Sequence, residues 1–382
     1  MRIGLLTDGY RPGVNGVIRF ISLHKRTLEE LGHEVFVFTW GREDPGDEDG
    51  VLRSFGLPFV KPGYYVGLGY DRDAVSVMRT LDLLHANQPV LSGIMALRYG
   101  RRYDLPLVLS CHTRYDLLGT MRLPVLPLSA YRAVLRPVLR WCADQFDVVT
   151  APTPEAMRVM KNLGVSSPME VVPYGVELAR CREPATRLKR EELGLPTSAP
   201  LALFVGRLAP EKNVRFLLKA LARPELANAY LLIVGDGDER QSLEELASEM
   251  DLEARVRFVG QVPPADVPAY ANLANLFVTA SRIEMLPIAV IEALAAGLPI
   301  VGLDVYWIRH VVQPNVNGLL ADCKMESFAQ AWAELLHNEA LRRRLAEGAR
   351  ATGEQYDVQR TTAQMVAHYE QLMDSQRRGA DE

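Results

Sequence analysis

The chain has 382 residues, 48% of them hydrophobic and 24% charged, a composition typical of globular proteins and a length that suggests two domains. Its net charge of −4 gives no overall field that would attract nucleic acid, and no apolar run reaches the roughly 18 residues of a membrane span. The four cysteines are widely spaced and form no CxxC pair, which predicts reduced thiols in a cytoplasmic protein and argues against a disulfide framework or zinc site.

The first half of the sequence alternates strands and helices. RIGLLT (2–7) predicts a strand, residues 16–32 carry apolar residues at helical spacing up to Gly32, and EVFVFTW (34–40) predicts the next strand. Four further segments have the apolar character of strands that run into polar or small residues: 81–89, 105–113, 146–153 and 169–177.

The same alternation restarts near residue 200. Strands are predicted within 200–208, 229–237 and 256–260, and helices within 213–223, 239–250 and 265–274. Repeated β-α-β units predict an α/β protein with two parallel sheets covered by helices. The polar segment 178–199 is the predicted linker. Ligands of such sheets bind at the carboxyl ends of the strands, so we expect two domains facing across a cleft.

The turn after the first strand is rich in glycine. TDGYRPGVNGV (7–17) does not match GxGxxG, so the dinucleotide-binding fingerprint is absent. Gly16 stands directly before a predicted helix, where a glycine allows backbone N–H groups to approach a phosphate. An ordinary strand-to-helix turn is the alternative.

Two basic residues follow the first strand of the second half. FVGRLAPEKN (204–213) places Arg207 and Lys212 in one loop, where a guanidinium fork and an ammonium point charge could neutralise a diphosphate. The alternative is a solvated basic loop in which Lys212 pairs with Glu211.

The segment EMLPIAVIE (284–292) places two glutamates eight residues apart. Pro287 suits the first turn of a helix, so Glu284 is predicted in the preceding loop and Glu292 on the second turn. The N–H groups of Met285, Leu286 and Ile288 would then be available for phosphate or sugar oxygens. Taken alone, the segment favours a plain loop carboxylate and a solvated helix residue.

The order of these motifs resembles a known family. PGVNGV, SCHT, VVPYGVE, GRLAPEKN, LLIVGDGDE, FVGQV, the glutamate pair, GLPIVG and NGLL follow one another as in retaining glycosyltransferases of the GT-B fold. The similarity extends over nearly the whole chain and is greatest to the large group that includes sucrose synthase-like, phosphatidylinositol mannosyltransferase and diacylglycerol glucosyltransferase enzymes.

The resemblance implies an architecture of three parts. Residues 1–178 would form an acceptor-binding Rossmann-like domain, residues 179–356 a Rossmann-like domain that binds the nucleotide sugar, and residues 357–382 a helix that packs back on the first domain.

The resemblance also assigns roles to individual residues. Arg207 and Lys212 would hold the donor diphosphate, Glu292 the ribose hydroxyls, and Glu284 the hydroxyls of the transferred sugar. The catalytic set is therefore His112, Arg207, Lys212 and Glu284. The donor-binding set is Gly16, Arg207, Lys212, Glu284, Met285, Leu286, Pro287, Ile288 and Glu292. The family commonly has aspartate where this chain has Glu177, and glycine or phenylalanine near Met285 and Leu286.

For the reaction, the family implies retention of anomeric configuration by same-face attack, with the leaving phosphate assisting deprotonation of the acceptor. The basic pair could replace a metal, so we predict activity without a metal or other cofactor. The donor would be UDP-glucose or GDP-mannose in type.

The acceptor is predicted to be a lipid such as diacylglycerol or phosphatidylinositol. PGVNGV, with Asn15, and CHTRYD, with Arg114 and Tyr115, resemble the lipid-directed branch. Residues 117–141 contain no acid, and Arg132, Arg136 and Arg140 recur every four residues, which suits an anionic membrane surface. A core-packing helix with a solvated basic face is the alternative, and the prolines, Pro137 among them, are predicted to break the helix.

Three other functions fit the same fold. A soluble sugar or sugar phosphate could be the acceptor, a sugar-nucleotide epimerase would form product from the donor alone, and a non-catalytic protein would only bind the donor. We predict a cytoplasmic enzyme, with peripheral association at the inner face of the cell membrane as an extension of the lipid hypothesis.

Overall fold

A computed structural model describes residues 1–10, 16–58, 65–114 and 128–380. The chain divides into two compact units, the first comprising Met1–Gly175 with Val358–Glu382 and the second comprising Val176–Asp357.

The first unit is built on a parallel sheet of seven strands in the order β3-β2-β1-β6-β7-β8-β9, with a separate two-stranded hairpin, β4-β5. Its strands are β1 (Arg2–Leu6), β2 (Glu34–Trp40), β3 (Val51–Ser54), β4 (Leu57–Pro58), β5 (Tyr65–Val66), β6 (Leu83–Ala86), β7 (Leu107–Ser110), β8 (Val148–Ala151) and β9 (Met169–Val171). Its helices are α1 (Gly16–Glu30), α2 (Arg72–Met78), α3 (Leu91–Tyr103), α4 (Leu128–Ala143) and α5 (Pro154–Asn162).

The second unit has a parallel sheet of six strands in the order β12-β11-β10-β13-β14-β15. The strands are β10 (Leu201–Val205), β11 (Tyr230–Val234), β12 (Val256–Gly260), β13 (Leu276–Thr279), β14 (Ile300–Leu303) and β15 (Gly318–Ala321). The helices are α6 (Leu178–Arg182), α7 (Val214–Leu221), α8 (Arg240–Glu249), α9 (Val267–Ala271), α10 (Ile288–Ala296), α11 (Met325–His337) and α12 (Glu339–Gly353). Single 3-10 turns cover Arg190–Leu193, Pro210–Lys212, Pro224–Leu226, Ile308–His310 and Glu354–Tyr356.

The last helix, α13 (Val358–Ala380), belongs to the first unit and packs against α1. Its Tyr369 hydroxyl lies 3.2 Å from Nε2 of His24, and Gln359 donates to Glu30 at 2.9 Å. The predicted fold class, two Rossmann-like parallel sheets with a C-terminal helix that returns to the first domain, is therefore confirmed.

Glycines allow the strand ends of the second sheet to come close together. Gly235 follows β11 with a φ of +135°, and a Cβ there would lie 2.0 Å from the carbonyl oxygen of Gly206, which follows β10. Only glycine fits such an approach, because any side chain would collide with backbone atoms. The two loops that leave this edge of the sheet are consequently packed against each other.

Two local expectations differ from the structure. The predicted linker, residues 178–199, contains α6, whose Leu178 and Cys181 are buried in the second unit. Pro137 does not break its helix, since α4 runs through it. Pro137 has no N–H to donate to the carbonyl of Ala133. Both residues are exposed, so water can donate a hydrogen bond to that carbonyl instead.

Candidate active site

The loop after β10 carries the two predicted cations. The Arg207 side chain is 53% exposed and its Nη2 lies 2.6 Å from Oε1 of Glu211. Lys212 forms its ion pair with Glu284 instead, across 72 residues of sequence. The alternative pairing of Lys212 with Glu211 is therefore wrong, and the basic loop is tied to the loop that carries the first glutamate.

Glu284 is held from several sides. The Ser281 hydroxyl lies 2.8 Å from the same oxygen, Oε1, that meets Lys212. The Tyr306 hydroxyl donates to the Glu284 carbonyl oxygen at 3.3 Å, and Trp307 Nε1 donates to the Ser281 carbonyl at 3.0 Å. Both described contacts of the carboxylate use Oε1, so Oε2 is available to a ligand. Ser281, Tyr306 and Trp307 were not predicted as site residues. Only their positions in the sequence could have indicated them, since Ser281 follows β13 and the two aromatic residues follow β14.

Helix α10 begins directly after this loop. Pro287 occupies its N-cap position without a side-chain capping bond, and Val290 N already bonds Pro287 O at 3.0 Å. The N–H groups of Ile288 and Ala289 therefore remain for a ligand at the positive end of the helix. The side chains of Met285 and Leu286 are buried, so these two residues can offer a ligand only their backbone.

Glu292 lies on the second turn of α10, as expected, but it is 4% exposed. It is the only charged residue in this helix, whose sequence IAVIEALAA is otherwise wholly apolar. The solvated-residue alternative is therefore wrong. A carboxylate can accept several hydrogen bonds, so this buried side chain is able to receive hydroxyl groups of a ligand.

This edge of the second unit thus combines two cations, one carboxylate with a free oxygen, a buried carboxylate and a helix N-terminus. The cations and the helix N-terminus favour phosphate, and the carboxylates favour hydroxyl groups. Such a set can hold a molecule that contains both phosphates and sugars.

In the first unit, His112 follows β7 and is 8% exposed. Its Nε2 lies 3.0 Å from Oδ1 of Asn87, and its Nδ1 lies 2.9 Å from the Tyr174 hydroxyl. Because Asn87 uses its amide nitrogen toward the Leu6 carbonyl, its Oδ1 accepts, and we assign the proton of His112 to Nε2. Burial lowers the pKa of His112 to about 3, so the imidazole is neutral.

Three neighbours of this site were not singled out in the sequence. Asn87 follows β6 and Tyr174 lies after β9, while Asp8 follows β1 and accepts the Ser92 N–H at 2.7 Å. Burial raises the pKa of the Asp8 carboxyl. The signal that marks Asp8, Asn87 and His112 together is their shared position at the carboxyl ends of neighbouring parallel strands.

The remaining predicted residues are less closely connected to these clusters. Gly16 is the exposed first residue of α1, and Arg114 is half-buried after β7. Asn15, Tyr115 and the side chain of Arg132 lie outside the described part. On α4, Arg136 and Arg140 are exposed; Arg136 donates to the Leu163 carbonyl at 3.2 Å, and Arg140 lies 3.4 Å from Asp144.

Within the described ranges, no group of three or more His, Cys, Asp or Glu side chains is arranged to hold a metal ion. None of the helices described has the length and hydropathy needed to cross a membrane.

Two family models match the chain, Glycosyltransferase Family 4 over residues 14–180 and Glycosyl transferases group 1 over residues 186–352. The chain is 26% identical to an alpha-monoglucosyldiacylglycerol synthase of Streptococcus pneumoniae over 84% of this chain and 75% of that protein. It is 30% identical to a D-inositol 3-phosphate glycosyltransferase of Nocardioides over 75% of this chain and 67% of the relative. A sucrose-phosphate synthase structure from Thermosynechococcus elongatus has the same fold, with a TM-score of 0.79 and 23% identity over 98% of this chain and 99% of that one.

Proposed function

The chain belongs to the group 1 glycosyl transferases of the GT-B fold, and from this premise we propose that it transfers a hexosyl group. The donor is a nucleoside-diphosphate sugar, and the acceptor is a lipid such as diacylglycerol or phosphatidylinositol. The observation that carries the donor half is the Lys212–Glu284 ion pair just before α10, with Arg207 in the same loop as Lys212 and Glu292 buried on the second turn of the helix.

The donor is oriented by complementary charge. Arg207 and Lys212 hold the diphosphate, and the N–H groups at the start of α10 add to their field. Glu292 receives the ribose hydroxyls and Glu284 the hydroxyls of the sugar through Oε2. Lys212 neutralises the other oxygen of Glu284, so that the carboxylate can lie near phosphates without net repulsion.

The proposed reaction is retaining and needs no metal. The bond between the anomeric carbon and the diphosphate oxygen breaks, and the acceptor oxygen bonds to the same carbon on the same face. The acceptor proton passes to the departing diphosphate, and its negative charge is stabilised by Arg207 and Lys212. His112, a neutral imidazole, lines the sugar and the reacting carbon and does not act as a base.

The lipid acceptor is supported by the diacylglycerol named for the Streptococcus relative and by the exposed basic face of α4. A soluble sugar phosphate is the second candidate, because the Nocardioides relative is named for D-inositol 3-phosphate.

A donor-by-acceptor assay tests the proposal. Purified protein receives UDP-glucose, UDP-galactose or GDP-mannose, each with diacylglycerol or phosphatidylinositol in mixed micelles, or with inositol phosphate in buffer, and nucleotide release is followed. Lipid-dependent release with one donor is expected. Release that responds only to the soluble acceptor would contradict the lipid assignment and favour the second candidate, and product without any acceptor would indicate an epimerase. The anomeric configuration of the product, read by proton NMR, tests retention.

The donor site is tested by Lys212→Met. Loss of one group that stabilises transition-state charge lowers kcat by about 100-fold or more. The matched control is Lys219→Met, because Lys219 is an exposed lysine on α7 in the same unit. Equal activity of the two variants would remove Lys212 from the mechanism.

Attachment to anionic membranes through α4 is tested by changing Arg132, Arg136 and Arg140 together to glutamate. Binding to vesicles that contain phosphatidylglycerol is expected to be lost, and more readily so as salt is raised. The control is Arg158→Glu, at a side chain that is 74% exposed on α5. Unchanged cosedimentation of the triple variant would refute a role for this face.

A further inference from the structure

A short hairpin after β3 exposes three large apolar side chains. Phe55 is 82% exposed, Leu57 64% and Leu68 85%. In the β4-β5 hairpin, Leu57 pairs with Val66, and the same register extended by two residues sets Phe55 opposite Leu68. Cross-strand partners and alternate residues share one face of a hairpin, so these three side chains form one apolar surface, here called the apolar crest.

The opposite face of the hairpin is fixed to the domain. The same register sets Gly56 opposite Gly67, and a Cβ on Gly67 would lie 2.1 Å from the Trp40 ring. Trp40 is itself buried, donates from Nε1 to the Gly69 carbonyl at 3.0 Å and stacks on Tyr70. One face of the hairpin packs closely on Trp40 and the other is exposed. The packed face therefore fixes the hairpin so that the apolar crest points to solvent.

The crest lies at the same edge of the sheet as His112. It follows the carboxyl end of β3, and His112 follows the carboxyl end of β7, four positions along the strand order. At the usual strand spacing these ends are about 19 Å apart. The crest therefore lies at the same edge of the first sheet as His112.

One guanidinium group is bonded directly to the backbone of the crest. Exposed Arg98 donates from Nη1 to the Leu68 carbonyl at 3.0 Å, and Arg42 is exposed beyond Trp40. Acidic residues also lie near the crest: Asp47 pairs with Arg53 and Asp71 caps α2, whereas Glu43, Asp49 and Asp73 are exposed. The exposed apolar side chains match the hydrocarbon of a bilayer, and the Arg98 guanidinium at their base matches its phosphates.

We propose that the apolar crest inserts into the hydrocarbon boundary of a lipid bilayer and so brings the first unit to the membrane that holds the acceptor. The proposal rests on the lipid acceptor proposed above. Three side chains are a small area for a stable protein interface, which needs roughly 800 Å² from each partner, but are enough for interfacial insertion.

Vesicle flotation tests the crest directly. The variant Phe55→Ser/Leu57→Ser/Leu68→Ser is compared with Leu31→Ser/Val316→Ser, which removes exposed apolar side chains elsewhere. On neutral phosphatidylcholine vesicles, where the basic face of α4 has no anionic partner, the crest variant is expected to lose at least about tenfold in partitioning, and the control none. Equal binding of the crest variant and wild type would overturn the proposal, as would a wild-type protein that ignores these vesicles.

A second measurement does not depend on how the variant folds. With Cys323 changed to Ser, an environment-sensitive dye is attached to Phe55→Cys or, as control, to Arg158→Cys; the other cysteines are buried. Vesicles are expected to shift the emission of the dye at position 55 to the blue and leave the dye at position 158 unchanged. No shift at position 55 in vesicle-bound protein would refute insertion.

Failure of this proposal and failure of the proposed function give different results. If transfer proceeds to a short-chain, water-soluble lipid but the crest variant matches wild type on vesicles, the crest is refuted and the function stands. If the crest binds vesicles but only soluble sugars are accepted, the function is refuted and the crest stands.

Discussion

The hydroxyl of Tyr369 joins two buried histidines in the core of the first unit. Tyr369 lies on α13, and its oxygen is 2.6 Å from Nδ1 of His85 and 3.2 Å from Nε2 of His24. The outer nitrogens of the two rings bond to hydroxyl groups, since His24 lies 3.3 Å from Thr362 and His85 2.7 Å from Ser110. The chain of bonds therefore connects the returning helix to α1 and to strands β6 and β7.

Tyr369→Phe removes this oxygen and keeps the ring. One histidine then loses its donor and the other its acceptor, and bulk solvent does not replace them because both rings and the tyrosine are buried. A buried polar group left unpaired costs about 1–3 kcal/mol, so the variant should lose roughly 2–4 kcal/mol of unfolding free energy. This loss of free energy corresponds to a decrease of about 30-fold to 1,000-fold in the folding equilibrium constant.

Urea unfolding measures the loss, and hydrogen exchange in the α1 and α13 peptides assigns it to the first unit. The matched control is Tyr103→Phe, because Tyr103 is half-buried and its hydroxyl makes one long contact, 3.4 Å, with exposed Arg79. That variant should change stability by less than about 0.5 kcal/mol. A Tyr369→Phe variant as stable as this control would refute the view that the network ties α13 to the first unit.

Three further outcomes follow from the site and the core. Burial lowers the pKa values of His24, His85 and His112 from 6.5, to about 3 for His24 and His112, so the unfolded chain binds protons that the native state excludes. Unfolding free energy should therefore fall as the pH drops below about 6.5 and continue to fall toward pH 3, by up to about 1.4 kcal/mol per pH unit for each histidine; a flat profile of urea midpoints between about pH 7 and pH 5 would contradict this. Glu292→Gln keeps the shape of the buried side chain but removes its charge, so the KM for the donor should rise about tenfold or more in steady-state assays, and an unchanged KM would remove Glu292 from donor binding. A chelator should leave turnover unchanged, and activity that is abolished and then restored by a divalent ion would contradict the predicted metal independence.

Several features could be predicted because they depend on local pattern or on motif order. Short apolar runs that alternate with amphipathic segments predict parallel sheets, and both sheets are present. The position of Glu284 in a loop and of Glu292 on the second turn of a helix follows from Pro287, which fixes where that helix begins. The family was visible because the ordered set of motifs is specific even though each motif alone is weak.

The choice of partners was decided only by tertiary structure. Sequence proximity favoured Lys212 with Glu211, but the loops after β10 and β13 meet at one edge, and Lys212 pairs with Glu284. The single charge of α10 is buried because neighbouring helices, chiefly α12 and α6, pack against that helix, and the position of these neighbours is set by the fold. His24 and His85 look unremarkable in sequence, and Tyr369, which joins them, lies 284 residues beyond His85. Periodicity specifies which residues share a face of a helix or strand, whereas the tertiary fold decides which elements pack against that face. The charge, pKa and exposure of each site residue depend on those packed neighbours.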